Sequence, residues 1–232
     1  MSRKVLVTGG TRGIGQAIAL AFAATGDEVL AVGIEAELPA GAGNVDYTAL
    51  DVRDGEAVRL LVAGLSHLDV LINCAGVLHR DNLEHQVEGF EDVIDVNLMG
   101  TMRTSYACRE LLGDARGCVL NLASMLTFFG SGPAPAYSAS KGGVAQLTRS
   151  LAIGWADEGI RVNAIAPGWI ETALTRPLVD DSQHSSEIVK RTPLGRWGQV
   201  EDVTGAALFL CSEQAAFITG AILPVDGGYS VR

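Results

Sequence analysis

Lys4-Val5-Leu6-Val7-Thr8-Gly9-Gly10-Thr11-Arg12-Gly13-Ile14-Gly15 is the stretch from which the fold can be read. An apolar run of strand length ends in a glycine-rich turn, after which Ile14, Ala17, Ile18, Ala21 and Phe22 recur at helical spacing. The order is strand, glycine turn, helix. Such a turn aims backbone N–H groups and the positive end of a helix dipole at one point, which suits a pyrophosphate, while Gly13 and Gly15 permit close backbone approach and tight helix packing. The spacing Gly9-x-x-x-Gly13-x-Gly15 differs from G-x-G-x-x-G, so the turn alone is weak evidence for a nucleotide.

Working outward, Glu28 to Val32 reads as a second strand and Val45 to Leu50 as a third. The crossover between them, 33–44, is barely the dozen residues a parallel connection needs, room for little more than a turn of helix. Asp54 caps a helix with Ala57, Val58, Leu61 and Val62 inward, and Leu68 to Asn73 is a fourth strand with the continuous apolar character of one buried on both faces. A long helix near Gly89 to Leu112 follows, then a strand at Cys118 to Leu122, a helix from Pro135 to Asp157, and a strand from Ile160 to Ala166 stopped by Pro167-Gly168. A helix at Val200 to Leu210 and a seventh strand at Ala221 to Val225 complete the alternation. The class is α/β: a doubly wound parallel seven-stranded sheet with helices on both faces, and ligand sites at the carboxyl ends of the strands.

Length and composition narrow the function. The 232 residues suit one domain spanning 1–232; 48% hydrophobic content with 28 glycines and 19% charged residues argues against disorder. A net charge of −10 without any basic run opposes nucleic acid and anionic membrane. No apolar run reaches membrane length, strand-like sequence begins at Lys4, and Cys74, Cys108, Cys118 and Cys211 show no paired spacing, so the expectation is a cytoplasmic protein with reduced thiols.

The chemistry concentrates in Ala136-Tyr137-Ser138-Ala139-Ser140-Lys141. Tyr137 and Lys141, four apart on a helix, share a face, and an ammonium beside a phenol favours the phenolate. Asp51 and Asn73-Cys74-Ala75-Gly76 fall at the same sheet edge, where each could also serve as a turn former. Ser124 precedes Tyr137 by thirteen residues, close enough for the loop to bring hydroxyl, phenol and ammonium around one carbonyl; its alternative is a turn serine. Asn97 is a poor helix former inside the long helix, odd on a buried face unless it has polar work.

Together, Thr8-Gly9-x-x-x-Gly13-x-Gly15, Asp51-Val52, Asn73-x-Ala75-Gly76, Asn97, Ser124, Tyr137-x-x-x-Lys141, Pro167-Gly168 with Ile170 and Thr172, and Val225-Asp226-Gly227-Gly228 resemble the short-chain dehydrogenase/reductase family from Lys4 to Gly228. The resemblance implies a Rossmann-type sheet in strand order 3-2-1-4-5-6-7 that binds NAD or NADP. By that pattern Tyr137 is the general acid/base and Lys141 binds the nicotinamide ribose and lowers the Tyr137 pKa. Ser124 bonds the substrate oxygen and Asn97 organises a water for proton exchange. The dinucleotide would lie against Gly9, Thr11, Arg12, Gly13, Ile14, Gly15, Asp51, Val52, Asn73, Ala75, Gly76, Tyr137, Lys141, Pro167, Gly168, Ile170 and Thr172, with Asp51 at the adenine and Thr172 at the nicotinamide or pyrophosphate end. No metal is expected. Two departures stand out: Cys74 replaces the usual second Asn, and the crossover after the second strand is short.

The implied activity is hydride transfer between nicotinamide and a small secondary alcohol or ketone. Pocket walls are expected from His79, Arg80, Met125 to Gly132 with Phe128 and Phe129, and Trp169, under a lid at about 173–197 whose Asp180, Asp181, Ser182, His184, Ser185 and Ser186 read first as a solvated loop. One alternative is a 3-oxoacyl-carrier-protein reductase, which would have to dock an acidic carrier against the chain's own charge. The other is a non-catalytic dinucleotide sensor, which has no need of Ser124, Tyr137, Lys141 and Asn97 together. NAD is expected over NADP because Glu35 and Glu37 follow the second strand without a nearby Lys or Arg, with Arg12 as the counterweight. A homo-oligomer is expected, a tetramer by the resemblance, with Ala139, Gly142, Gly143, Gln146 and Ile153 as the contact face of the catalytic helix.

Overall fold

Seven strands pair into one sheet, every neighbour parallel, in the order β3-β2-β1-β4-β5-β6-β7. The strands are β1 (Lys4–Thr8), β2 (Glu28–Gly33), β3 (Val45–Ala49), β4 (Val70–Asn73), β5 (Cys118–Leu122), β6 (Arg161–Pro167) and β7 (Ile222–Val225). The computed structural model describes residues 2–35 and 44–232; most of the short crossover, with Glu37, lies outside the described residues.

The period of two along each strand sorts the core into two layers. Val5, Val7, Val29, Ala31, Val70 and Ile72 face helices α1 (Gly13–Ala24) and α8 (Val200–Leu210), where Ile18, Phe22, Val203 and Ala207 meet them. Leu6, Val32, Leu71 and Val119 face the other way, onto Val58 and Val62 of α2 (Gly55–Ala63), Cys108 and Leu112 of α4 (Gly100–Ala115), and Leu151 and Ala152 of α5 (Pro135–Gly154). Asp54 caps α2 as expected, accepting from Glu56 N and Ala57 N at 3.0 Å each.

The long helix is interrupted. Helix α3 (Val87–Ile94) passes through a five-residue π turn, Asp95–Met99, into α4. The lid also differs from the expected solvated loop: it contains α6 (Arg176–Val179) and α7 (Ser182–Arg191). Asp181 caps α7 through Gln183 N and His184 N, and Ile188 is buried beneath it, so a polar sequence is organised by one cap and one apolar anchor.

Beyond β7 the chain turns back towards the carboxyl edge. Asp226 accepts from Gly228 N and Ser230 N, both at 2.9 Å, and Leu194 N donates to Gly227 O, tying this turn to the lid.

Candidate active site

The glycine turn is shaped by its neighbours. Gly9 and Gly13 have φ of 63° and 53°, a region costly to any side chain, and a Cβ on Gly9 would stand 2.7 Å from Ala75 N. Thr8 Oγ1 accepts from Cys74 N and Ala75 N at 3.2 and 3.3 Å, locking the turn to the end of β4. No side chain caps α1 and its first turn carries no acid, so its amides remain free to meet an anion. From the opposite side the Thr172 methyl lies 3.8 Å from the position a Gly13 Cβ would take. This backbone-lined groove, with the first amides of α1 uncapped by any side chain among the described residues, fits a dinucleotide.

At the end of β5, Ser124 begins a single 3-10 turn, with Leu126 N donating to its Oγ at 3.2 Å. Thr127 Oγ1 donates to Lys141 O at 3.0 Å and so fastens that turn to α5. On α5, Lys141 is 3% exposed, its Nζ donating to Leu122 O at 2.7 Å and standing 5.4 Å from the centroid of the Tyr137 ring. Burial pushes the Tyr137 phenol up to about 12, with the neighbouring Ser124 side chain pulling it partly back. Burial likewise brings the Lys141 ammonium down to about 8. The raised Tyr137 pKa runs opposite to the direction expected from Lys141. Desolvation outweighs the pairing, and the ammonium is turned to a backbone carbonyl.

Asn97 sits inside the π turn, 1% exposed. Its Oδ1 accepts from Val77 N at 2.8 Å, and its Nδ2 donates to Val77 O at 3.0 Å and Ser140 Oγ at 3.1 Å. The extra residue of the π turn aims an otherwise misplaced amide at the loop after β4. A Cβ on Gly76 would lie 3.3 Å from Asn97 Oδ1 and 3.6 Å from Lys141 Nζ, so Gly76, Asn97 and Lys141 converge.

Other expected contacts are placed differently. The Asn73 side chain is not presented to the cleft: its Nδ2 donates to Ser105 Oγ and Asn121 Oδ1, and its Oδ1 accepts from Thr104, within a buried network that continues from Asn121 to Thr148. It joins the sheet to α4 and α5. Asp51 is half-buried at the β3 edge, both oxygens on Arg53, which also reaches Asp92; the Arg53 hydrogen bonds hold its carboxyl below the usual range. Val52 is buried beneath Gly100. Arg12 is exposed, with Nε 3.0 Å from Glu35 Oε1, and Thr11 Oγ1 donates to the same carboxylate. An anion thus occupies the corner beside Gly33.

A cleft of about 760 Å³ opens between the sheet edge and the lid, lined among others by Ile14, Ser124, Tyr137, Pro167, Gly168, Ile170 and Thr172. The far wall brings Arg80 from the β4 loop and Arg191 from α7. Arg80 Nη2 donates to Leu174 O at 2.6 Å; Arg191 stacks 4.2 Å over Tyr229 and 5.4 Å from Phe129. Neither forms an ion pair among the described residues. His79 lines the cleft too, but its ring is tied to Asp92 at 2.8 Å. Trp169 contributes an indole N–H that is buried without a partner among the described residues. Phe128, expected in the wall, is turned out and 47% exposed. Sequence reasoning placed Arg191 in the lid without singling it out, and missed Tyr229 in the wall and the buried Glu84; only the fold brings the lid, the tail and the β4 loop together.

A family model described as Enoyl-(Acyl carrier protein) reductase matches residues 9–230. The chain is 41% identical to 2-dehydro-3-deoxy-D-gluconate 5-dehydrogenase of Bacillus subtilis (strain 168), covering 99% of this chain and 95% of the relative. It is 38% identical to galactitol 2-dehydrogenase (L-tagatose-forming) of Cereibacter sphaeroides, covering 97% and 94%. The crystal structure of a gluconate 5-dehydrogenase from Burkholderia cenocepacia J2315, in complex with NADP and tartrate, superposes with a TM-score of 0.94 at 33% identity, covering 100% of this chain and 97% of the other.

Proposed function

Because the chain belongs to the short-chain dehydrogenase/reductase family, we propose that it is a nicotinamide-dependent oxidoreductase interconverting a secondary hydroxyl and a ketone on a small sugar acid. The observation that carries the substrate class is the pair of guanidiniums, Arg80 and Arg191, which line the same cleft as Tyr137 and have no carboxylate partners among the described residues. In a chain of net charge −10, two such cations favour a ligand that brings its own carboxylate. The sugar-acid dehydrogenases among its relatives support the same reading.

The dinucleotide, when bound, supplies or accepts the hydride. It would be held by the free amides of the glycine turn, by Ala75 and Gly76, and by Lys141. In the reducing direction Tyr137 donates its proton to the oxygen of the substrate carbonyl as negative charge develops there, and Ser124 donates a hydrogen bond to the same oxygen. Burial favours the neutral phenol, the form that carries the proton to be given in reduction. In oxidation the same groups act in reverse: the Lys141 ammonium beside the ring favours the phenolate form of Tyr137, which takes the proton of the substrate hydroxyl. Asn97 fixes the Gly76–Val77 backbone against which this occurs. NAD over NADP remains the reading for the cofactor, supported by the Glu35 carboxylate, which pairs with Arg12 where a 2′-phosphate would need a free cation.

The test is a panel of sugar acids, the corresponding neutral polyols and an acyl-carrier thioester, each assayed with both nicotinamide cofactors. Sugar acids should exceed the matching polyols in kcat/KM by at least about tenfold, the worth of roughly 1.4 kcal/mol of carboxylate recognition. Equal use of acids and polyols would remove the sugar-acid assignment, and a preference for the thioester would restore the acyl-carrier reading that the family model's description names.

A further inference from the structure

Glu84 is a carboxylate at 1% exposure in the short 3-10 turn Leu83–His85, and no cation forms an ion pair with it among the described residues. A side chain of this kind is seldom buried unless its oxygens are strongly bonded. Here Oε1 accepts from His79 N at 3.0 Å and Oε2 accepts from Tyr137 N at 2.9 Å. The first bond holds the loop after β4, which supplies Arg80 to the cleft wall. The second reaches across 53 residues to the third position of α5 and caps that helix at the backbone of the general acid/base itself.

The loop needs holding. Asp81 and Asn82 have φ of 57° and 60°, two successive non-glycine residues in the left-handed region, beside Arg80 in the same cleft wall. Such strain persists only where surrounding bonds over-determine it, and it gathers where a ligand is gripped. Between the strained pair and the catalytic helix stands one buried anion.

We propose that Glu84 is a positioning residue that couples the substrate-gripping loop to the proton-transferring helix, so that Arg80 and Tyr137 are set by one carboxylate. This rests on the assignment of Tyr137 as general acid/base. It also gives Glu84 an electrostatic role, since its charge favours the neutral phenol. The other groups around the phenol are the Cys74 thiol, which burial keeps uncharged, Lys141 beside the ring on α5, and Glu187, His184 and Arg191 on the lid side of the cleft.

The experiment compares Glu84→Gln, which removes the charge and one acceptor, with Glu84→Asp, which keeps the charge on a side chain one methylene shorter. The readouts are pH profiles of kcat in the oxidising direction, which report Tyr137 in the loaded complex, KM for the best substrate and dinucleotide affinity by fluorescence titration, with Tyr137→Phe run alongside. Glu84→Gln should move the limb governed by Tyr137 measurably to lower pH, because an anion that favours the protonated phenol is gone. Its substrate KM should rise several-fold while dinucleotide affinity stays within about twofold. Glu84→Asp should leave the limb in place yet raise KM, since it cannot span both amides. A Glu84→Gln profile superimposing on wild type, with losses tracking thermal stability alone, overturns the proposal. So does failure of both variants to yield folded, dinucleotide-binding protein, which would make Glu84 a folding element. Substantial turnover by Tyr137→Phe would instead unseat the general acid/base assignment and leave the loop tether to be judged on KM.

Discussion

Tyr137, Lys141 and Glu35 each make a claim that a single substitution tests. Removing only the transferable proton, Tyr137→Phe should lower turnover by more than about a hundredfold, the least that general acid/base catalysis supplies, while NADH or NADPH fluorescence titrations stay near wild type. Lys141 is charged against its surroundings: its pKa falls from 10.5 to about 8, so the folded state holds fewer protons than the unfolded chain between those values, and wild-type stability rises with pH across that window. Lys141→Met should therefore be inactive yet more stable than wild type at pH 7, by roughly 1–3 kcal/mol at about 1.4 kcal/mol per pKa unit less the lost bond to Leu122. The gain should shrink above pH 8 and be gone near pH 10.5; urea denaturation at pH 7 and 10 checks the sign, and a gain growing with pH would contradict it. Glu35 leaves Arg12 no free charge to offer. Glu35→Ala should raise the NADPH-to-NADH ratio of kcat/KM, on the order of tenfold, by removing an anion and freeing a cation. An unchanged ratio would mean that this corner does not decide the cofactor.

At the scale of elements, two helices do work that their composition hides. The π turn lengthens the path from α3 to α4 by the residue needed to send Asn97 inward, where Val77 and Ser140 complete its hydrogen bonds. Helix α7 carries Arg191 into the cleft and depends on Asp181 at its start, which accepts from two backbone amides and from the His184 ring at 2.9 Å. This hydrogen bond raises the His184 pKa and lowers that of Asp181, so the pair is strongest at a pH where His184 is protonated and Asp181 is not. Asp181→Ala should fray the lid, raising substrate KM several-fold with dinucleotide affinity unchanged, because the lid contributes to the substrate end of the cleft. Initial-rate measurements varying each substrate separately read this directly. A rise in both constants would show that α7 closes over the dinucleotide as well.

For the whole molecule, the face of α4 and α5 that points away from the sheet is the surface on which we expect chains to meet. Ile153 is 81% exposed and Tyr106 52%, and a side chain on Gly142 would meet nothing within 4 Å. Gly143, grouped with this face in the sequence, instead packs inward on Leu98 of the π turn. Apolar side chains around an open glycine suit close helix contact between identical copies. Light scattering should give a mass near four times the 24.2 kDa chain, and Ile153→Glu should yield a smaller species. A monomer at low micromolar concentration would exclude the assembly. No helix among the described residues is long and apolar enough to cross a membrane.

The order of elements and the Tyr137–Lys141 pairing were legible in the chain itself, because both depend on short-range spacing. Period-two apolar runs make strands whatever surrounds them, a glycine turn between strand and helix has few uses, and Tyr137 with Lys141 share a face at any helical i, i+4 spacing. Cys118–Leu122 and Val200–Leu210 matched to the residue, since turn chemistry or a cap bounds each end. What lay beyond reach was set by groups distant in sequence. Asn73 looked like a cleft residue at a strand end, but the register of β4 against β5 turns it towards Asn121 and Thr104. The lid looked like loop because polar composition masked its cap and its buried Ile188. The direction of the Tyr137 and Lys141 shifts could not be had from their adjacency, since burial, a property of the assembled walls, outweighs the pair. Glu84 reads in sequence as one more acid in a charged loop. Only the folded chain, by carrying β4 and α5 to the same edge, turns it into a buried anion between the substrate loop and Tyr137.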